Sequence, residues 1–93
     1  MSEAPMKMDP VDGNAIAGML VEIFGAEMTD SLGTCATCGT CGRLAELRVY
    51  MNAPGPVARC RFCDHVVMVL AQLGNTMRVD LRGLAALEIV KRT

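Results

Sequence analysis

A small α+β domain, with one N-terminal helix packed on an antiparallel sheet of three to five strands, follows from three features of this 93-residue sequence. Apolar residues recur at helical spacing between Ile16 and Phe24, they alternate with polar residues in later segments, and five cysteines gather in two short stretches. The length allows one hydrophobic core and no more. With 52% hydrophobic and 20% charged residues and a formal charge of −1, the composition is that of a folding chain, not a disordered one.

Residues 1–11 carry Pro5 and Pro10 in an aperiodic stretch and read as a flexible tail, leaving residues 12–93 as a single domain. Asp12 or Asn14 can cap a helix, and Ile16, Met19, Leu20, Ile23 and Phe24 form one apolar stripe. Gly25 offers a left-handed stop, so the spacing predicts a helix over residues 13–24 whose stripe packs on a sheet. A docking helix for a partner protein is the alternative use of such a face. Residues 26–34 lose the helical period and permit a short extended lead-in to the cysteines. Leu47, Val49 and Met51 alternate with polar neighbours as a half-buried strand, which Ala53-Pro54-Gly55-Pro56 ends. Val57 to Arg59 starts a return strand, and His65 to Leu73 reads as a buried central strand. Gly74-Asn75 is a two-residue hairpin loop, and Met77, Val79 and Leu81 mark the closing strand. The pattern of residues 84–90 fits a helix or a strand equally.

The cysteines carry the strongest signal. Cys35-Ala-Thr-Cys38-Gly39-Thr-Cys41-Gly42 is followed by Cys60-Arg-Phe-Cys63-Asp64, so two Cys-x-x-Cys elements lie about 20 residues apart across a strand–turn–strand segment. Each tight turn presents two thiolates, and together they supply the four sulfurs of a tetrahedral zinc site. The first pair is either Cys35/Cys38 or Cys38/Cys41. A residue able to take positive φ after the second cysteine lets backbone N–H groups point at sulfur; Gly39 and Gly42 both qualify, and Asp64 is an acceptable substitute. Iron held by four cysteines uses nearly the same spacing and is not excluded by ligand count.

Other readings of these residues weigh less. Buried thiols without metal have no reason to come in two spaced pairs, and an odd cysteine count argues against a disulfide framework. A redox Cys-x-x-Cys belongs at a helix N-terminus, whereas both pairs here lie between predicted strands. His65, the one histidine, is a substitute ligand at most. With no second histidine no catalytic triad can be assembled, and four thiolates leave the metal no open position, so no enzymatic activity is expected.

Taken together, the Asp12-Gly13-Asn14-Ala15-Ile16-Ala17-Gly18 stretch, Cys35-x-x-Cys38-Gly39, Tyr50-x-x-Ala53-Pro54-Gly55, Arg59-Cys60-x-x-Cys63 and Asp80-Leu81-Arg82-Gly83-Leu84 resemble a family of short, uncharacterised bacterial zinc-ribbon-like proteins. The resemblance covers residues 12–90. It implies that Cys35, Cys38, Cys60 and Cys63 are the metal ligands and that Cys41 is an extra thiol. The chain departs from that pattern at Asp64, where a glycine is usual. No activity comes with the resemblance; association with an oxidoreductase complex is the partner it suggests.

Charge bears on partners. Residues 1–34 carry six acids against one lysine, whereas residues 35–63 carry four arginines against Glu46. Zinc bound by four thiolates adds two negative charges and weakens that basic segment. Aromatic residues are 3% of the chain, too few for a stacking platform. Nucleic-acid binding is therefore second to a non-catalytic protein-interaction or accessory role, and a rubredoxin-like iron electron carrier is third. The N-terminus lacks a basic start followed by an apolar core, and Glu22 and Glu27 interrupt the longest apolar stretch. A cytoplasmic protein with no membrane span is the expectation.

Overall fold

The computed structural model describes residues 9–90. Asp12 caps the first turn, its carboxylate accepting the Asn14 N–H at 3.1 Å. The turn over Gly13–Ile16 is a 3₁₀ turn, and α1 follows at Ala17–Phe24. Gly25 ends the helix with φ +75°, the left-handed stop expected there. Ile16 and Leu20 are buried, with Met19, Ile23 and Phe24 packed beside them, so the stripe serves the core and is not free for a partner.

Seven strands follow: β1 (Leu32–Cys35), β2 (Cys41–Arg43), β3 (Arg48–Met51), β4 (Pro56–Arg59), β5 (Val66–Leu73), β6 (Thr76–Asp80) and β7 (Leu84–Glu88). They form two antiparallel sheets, ordered β2-β1-β7 and β3-β4-β5-β6. The four-stranded sheet matches the expected size; the three-stranded one is additional. β5 is central, with Val67, Met68, Leu70 and Ala71 buried. The β5–β6 loop is Gly74-Asn75, with φ +63° at Gly74, the position glycine fills in two-residue hairpins. Residues 84–88 settle as a strand.

Two differences from the sequence reading have local causes. Met51 is 42% exposed because it sits at the end of β3, past the part of the strand the core covers. Val11, assigned to the tail, pairs with Val49 through two backbone hydrogen bonds of 2.7 and 2.8 Å, so chain pairing reaches into residues 1–11. Residues 1–8, the rest of that tail, lie outside the described residues.

The core runs from Leu20, Met28 and Leu44 through Val49 to Val67, Met68 and Leu70, with Cys35 and Cys60 at its margin. Met28 and Ser31 are fully buried. The Thr29 N–H and hydroxyl both donate to the Glu27 carboxylate at 2.6 Å, tying down the turn that carries Met28 inward. The Gly83 backbone lies against β5, and its carbonyl accepts the Ala36 N–H at 2.9 Å. The crossover from β6 to β7 therefore holds the two sheets together where the cysteines lie.

Candidate metal centre

Each cysteine pair sits in a tight turn, and the two turns repeat one another. In the first, between β1 and β2, Cys35 N–H donates to Thr40 O and Gly39 N–H to Cys35 O, both at 2.9 Å. In the second, between β4 and β5, Cys60 N–H donates to His65 O and Asp64 N–H to Cys60 O, again at 2.9 Å. The residue after the second cysteine has positive φ in both, +78° at Gly39 and +66° at Asp64. This distinguishes the two pairings open in the sequence. Gly42 lies within β2 opposite Gly33 and takes no positive φ, so Cys35/Cys38 is the pair that forms the turn.

From the spacing of the pairs across one strand–turn–strand segment, a metal is expected to clamp the Leu47–Met51 and His65–Leu73 strands at one end. The structure differs, because the first turn belongs to the three-stranded sheet and the second to the four-stranded sheet. A metal held there would join the sheets to each other.

The sulfurs of Cys35, Cys38, Cys60 and Cys63 all lie within 4.8 Å of one another. Cys35 Sγ is 3.6 Å from Cys63 Sγ, and Cys38 Sγ is 3.7 Å from Cys60 Sγ. Sulfurs held 2.3 Å from a tetrahedral zinc are separated by about 3.8 Å, so the donor set fits such an ion in number, type and spacing. Cys35 and Cys60 are buried, Cys63 is half-buried and Cys38 is exposed. The Phe62 N–H points at Cys60 Sγ at 3.4 Å. Cys41 and His65 are exposed and do not join the cluster.

Electrostatics separate the thiols. The Thr40 hydroxyl, 3.2 Å from Cys38 Sγ, and the Thr40 N–H stabilise the Cys38 thiolate and bring its pKa down to about 6. The Cys38 N–H, with that of Thr37, lowers Cys35. At Cys63 the His65 N–H pulls downward, but burial and the other three thiols outweigh it and push the group up to about 12. One thiolate forms readily and the fourth resists, as expected where like charges crowd without a cation between them. A divalent ion held by these sulfurs would supply the missing charge.

Beside the cluster a shallow cleft of about 30 Å³ opens between the sheets, its apolar lining drawn from Gly33, Leu47, Val67, Leu84 and Phe62, with Arg43, Glu46 and Arg61 at its rim. Phe62 is 64% exposed, and the Arg61 guanidinium stacks 5.3 Å from its ring centre. Glu46 pairs with Arg43 at 3.2 Å and with Arg61 at 3.9 Å. The sequence reading passed over Phe62 because nothing in Cys60-Arg-Phe-Cys63 distinguishes a core aromatic from an exposed one.

Fold and site define a small two-sheet, ribbon-like module built around four cysteines that could hold a metal ion. The chain belongs to a family of unknown function (DUF6510), whose model matches residues 5–92. Neither a curated protein nor a solved structure matches it. Among the described residues no helix is long and apolar enough to cross a membrane.

Proposed function

We propose that the chain is a non-catalytic, zinc-stabilised interaction module that presents the second cysteine turn to another protein. Four cysteine sulfurs within 4.8 Å of one another are the ligand set of structural zinc; four such ligands fill every position and leave none for water or substrate. The bound ion supplies folding energy, on the order of 10 kcal/mol for four-ligand sites, to a small chain whose core alone leaves it near the margin. Iron in the same sulfurs would make a red, one-electron carrier, so a colourless protein carrying zinc supports the reading and a red one contradicts it.

The observation that carries the interaction role is Phe62. A large aromatic side chain stands 64% exposed on a turn that the metal fixes, next to an apolar cleft, and such anchors dominate protein interfaces. Glu46 partly neutralises Arg43 and Arg61 at the same site, which favours a protein over nucleic acid as the partner. Co-purification from native extract tests this with wild type and Phe62→Ala. The variant should retain its metal and lose a protein that wild type retains. Equal retention by both, or a salt-sensitive complex with mixed RNA or DNA in place of a protein, would overturn the reading.

A further inference from the structure

The outer edge of β7 has no strand partner among the described residues. The direction of its backbone groups follows from β1. Cys35 N–H bonds to Thr40 O and Leu44 N–H to Ser31 O, so the odd residues of β1 face β2 and the even ones face β7. Thr34 and Leu32 accordingly pair with Ala86 and Glu88, and Val90 N–H continues on that side by donating to Ser31 Oγ at 3.2 Å. Leu87 and Ile89 therefore turn their N–H and C=O groups outward.

Folded proteins normally protect such an edge with charge, proline, brevity or a β-bulge, and the one irregularity of β7, at Ala85, lies before the Leu87–Val90 stretch. The other sheet edges here show that protection. β2 is three residues long and ends at Arg43, β3 is met by Val11, and β6 carries Arg78 and Asp80, with Arg82 paired to Asp80 at 2.8 Å. Along β7 and its extension, Leu84 to Val90, the only charge is Glu88, and Ile89 and Val90 are 48% and 44% exposed.

We propose that β7 pairs antiparallel with β7 of a second copy of this chain about a two-fold axis at Leu87, joining two three-stranded sheets into one of six strands. In this register the two Leu87 residues exchange both backbone hydrogen bonds, each Ile89 lies opposite the partner's Ala85, and each Glu88 lies opposite the partner's Ala86. An axis at Glu88 would set two carboxylates face to face, and an axis at Ala86 would set Glu88 against leucine. The Leu87 register avoids both, and a net charge of −1 per chain offers little repulsion between copies. Two-fold pairing consumes both β7 edges and closes the assembly, which accounts for an edge guarded past its irregularity by Glu88 alone. The pairing is independent of Phe62 and of its partner.

Sedimentation or light scattering of the full, metal-loaded chain over a dilution series tests the proposal, with amide exchange reporting the register. The expected result is a species of twice 9.9 kDa at high concentration, with the Leu87 and Ile89 amides protected in it and open on dilution. Ala86→Glu, which sets two carboxylates opposite the partners' Glu88, should weaken the dimer by roughly 2- to 30-fold. Ala86→Lys should not weaken it, and Ile89→Pro, which removes an outward N–H alone, should give monomer. Metal content equal to wild type identifies each variant as folded. A monomer throughout, a dimer whose Leu87 and Ile89 amides exchange freely, or equal dimer strength in Ala86→Glu and Ala86→Lys would overturn the proposal.

Discussion

Adding one methyl group at Gly83 should loosen the metal centre without touching a cysteine. A Cβ built there would lie 2.1 Å from Val66 O and 2.4 Å from Val67 Cα, against 3.4–4 Å for ordinary contact. In Gly83→Ala the crossover must therefore retreat from β5 by about 1.3 Å, because backbone cannot swing aside as a side chain does. Ala36, in the first cysteine turn, is bonded to Gly83 O, and Val66 begins β5 directly after the second turn, so the retreat draws the turns apart. Sulfur pairs now 3.6 and 3.7 Å apart cannot widen that far and still hold one ion, since metal–ligand distances tolerate about 0.2 Å. Overpacking of this kind costs about 1–3 kcal/mol. Taken up at the site, that is about 5- to 150-fold in zinc affinity; taken up by the fold, it lowers Tm by about 4–8 °C per kcal/mol. Competition with a chromophoric chelator and a thermal melt read the two. Gly18→Ala is the control: nothing lies within 4 Å of its added Cβ, and alanine in α1 should stabilise by about 0.5–1 kcal/mol. Wild-type affinity and Tm in Gly83→Ala would refute the coupling of crossover to site.

The remaining predictions address the turns themselves. Asp64→Gly removes a left-handed strain at φ +66° that costs a non-glycine residue about 1 kcal/mol, so Tm should rise by about 4–8 °C; a fall would contradict the turn geometry. Thr40→Val removes the hydroxyl that holds Cys38 near 6. The Cys38 pKa should then move up toward its ordinary 9.0, protons should compete with the metal at higher pH, and the release midpoint in an acid titration should shift upward, with affinity at neutral pH about 10- to 100-fold weaker. An unchanged midpoint would remove Thr40 from the account. Cys41→Ser should leave metal content and Tm at wild-type values, whereas Cys38→Ser should lower both, as read by metal analysis and calorimetry; equal losses would mean that the first pair is wrongly assigned.

Periodicity made the helix, the β3 and β5 strands and the Gly74-Asn75 hairpin legible, because each reports which face of its own element is buried. It does not report which sheet a strand joins, and so the division into two sheets was hidden. Leu84 and Leu87 misled for a definite reason. The irregularity opposite Thr34 and Cys35 puts an extra residue into β7, so that two leucines three apart both reach the core and imitate helical spacing. The cysteine pairs were visible by spacing, yet Gly39 and Gly42 looked equivalent until φ separated a turn residue from a strand residue. Met28 and Ser31 stand in an aperiodic stretch, and tertiary contacts turn them inward: Thr29 on Glu27, and the Leu44 N–H on Ser31 O.

Metal stoichiometry, measured together with unfolding before and after chelation, shows whether an ion in the four-cysteine cluster holds the fold. The expected result is about one zinc per chain, bound by Cys35, Cys38, Cys60 and Cys63, and loss of the cooperative melt once it is removed. A metal-free and a metal-loaded chain that unfold at the same temperature with the same cooperativity would contradict it.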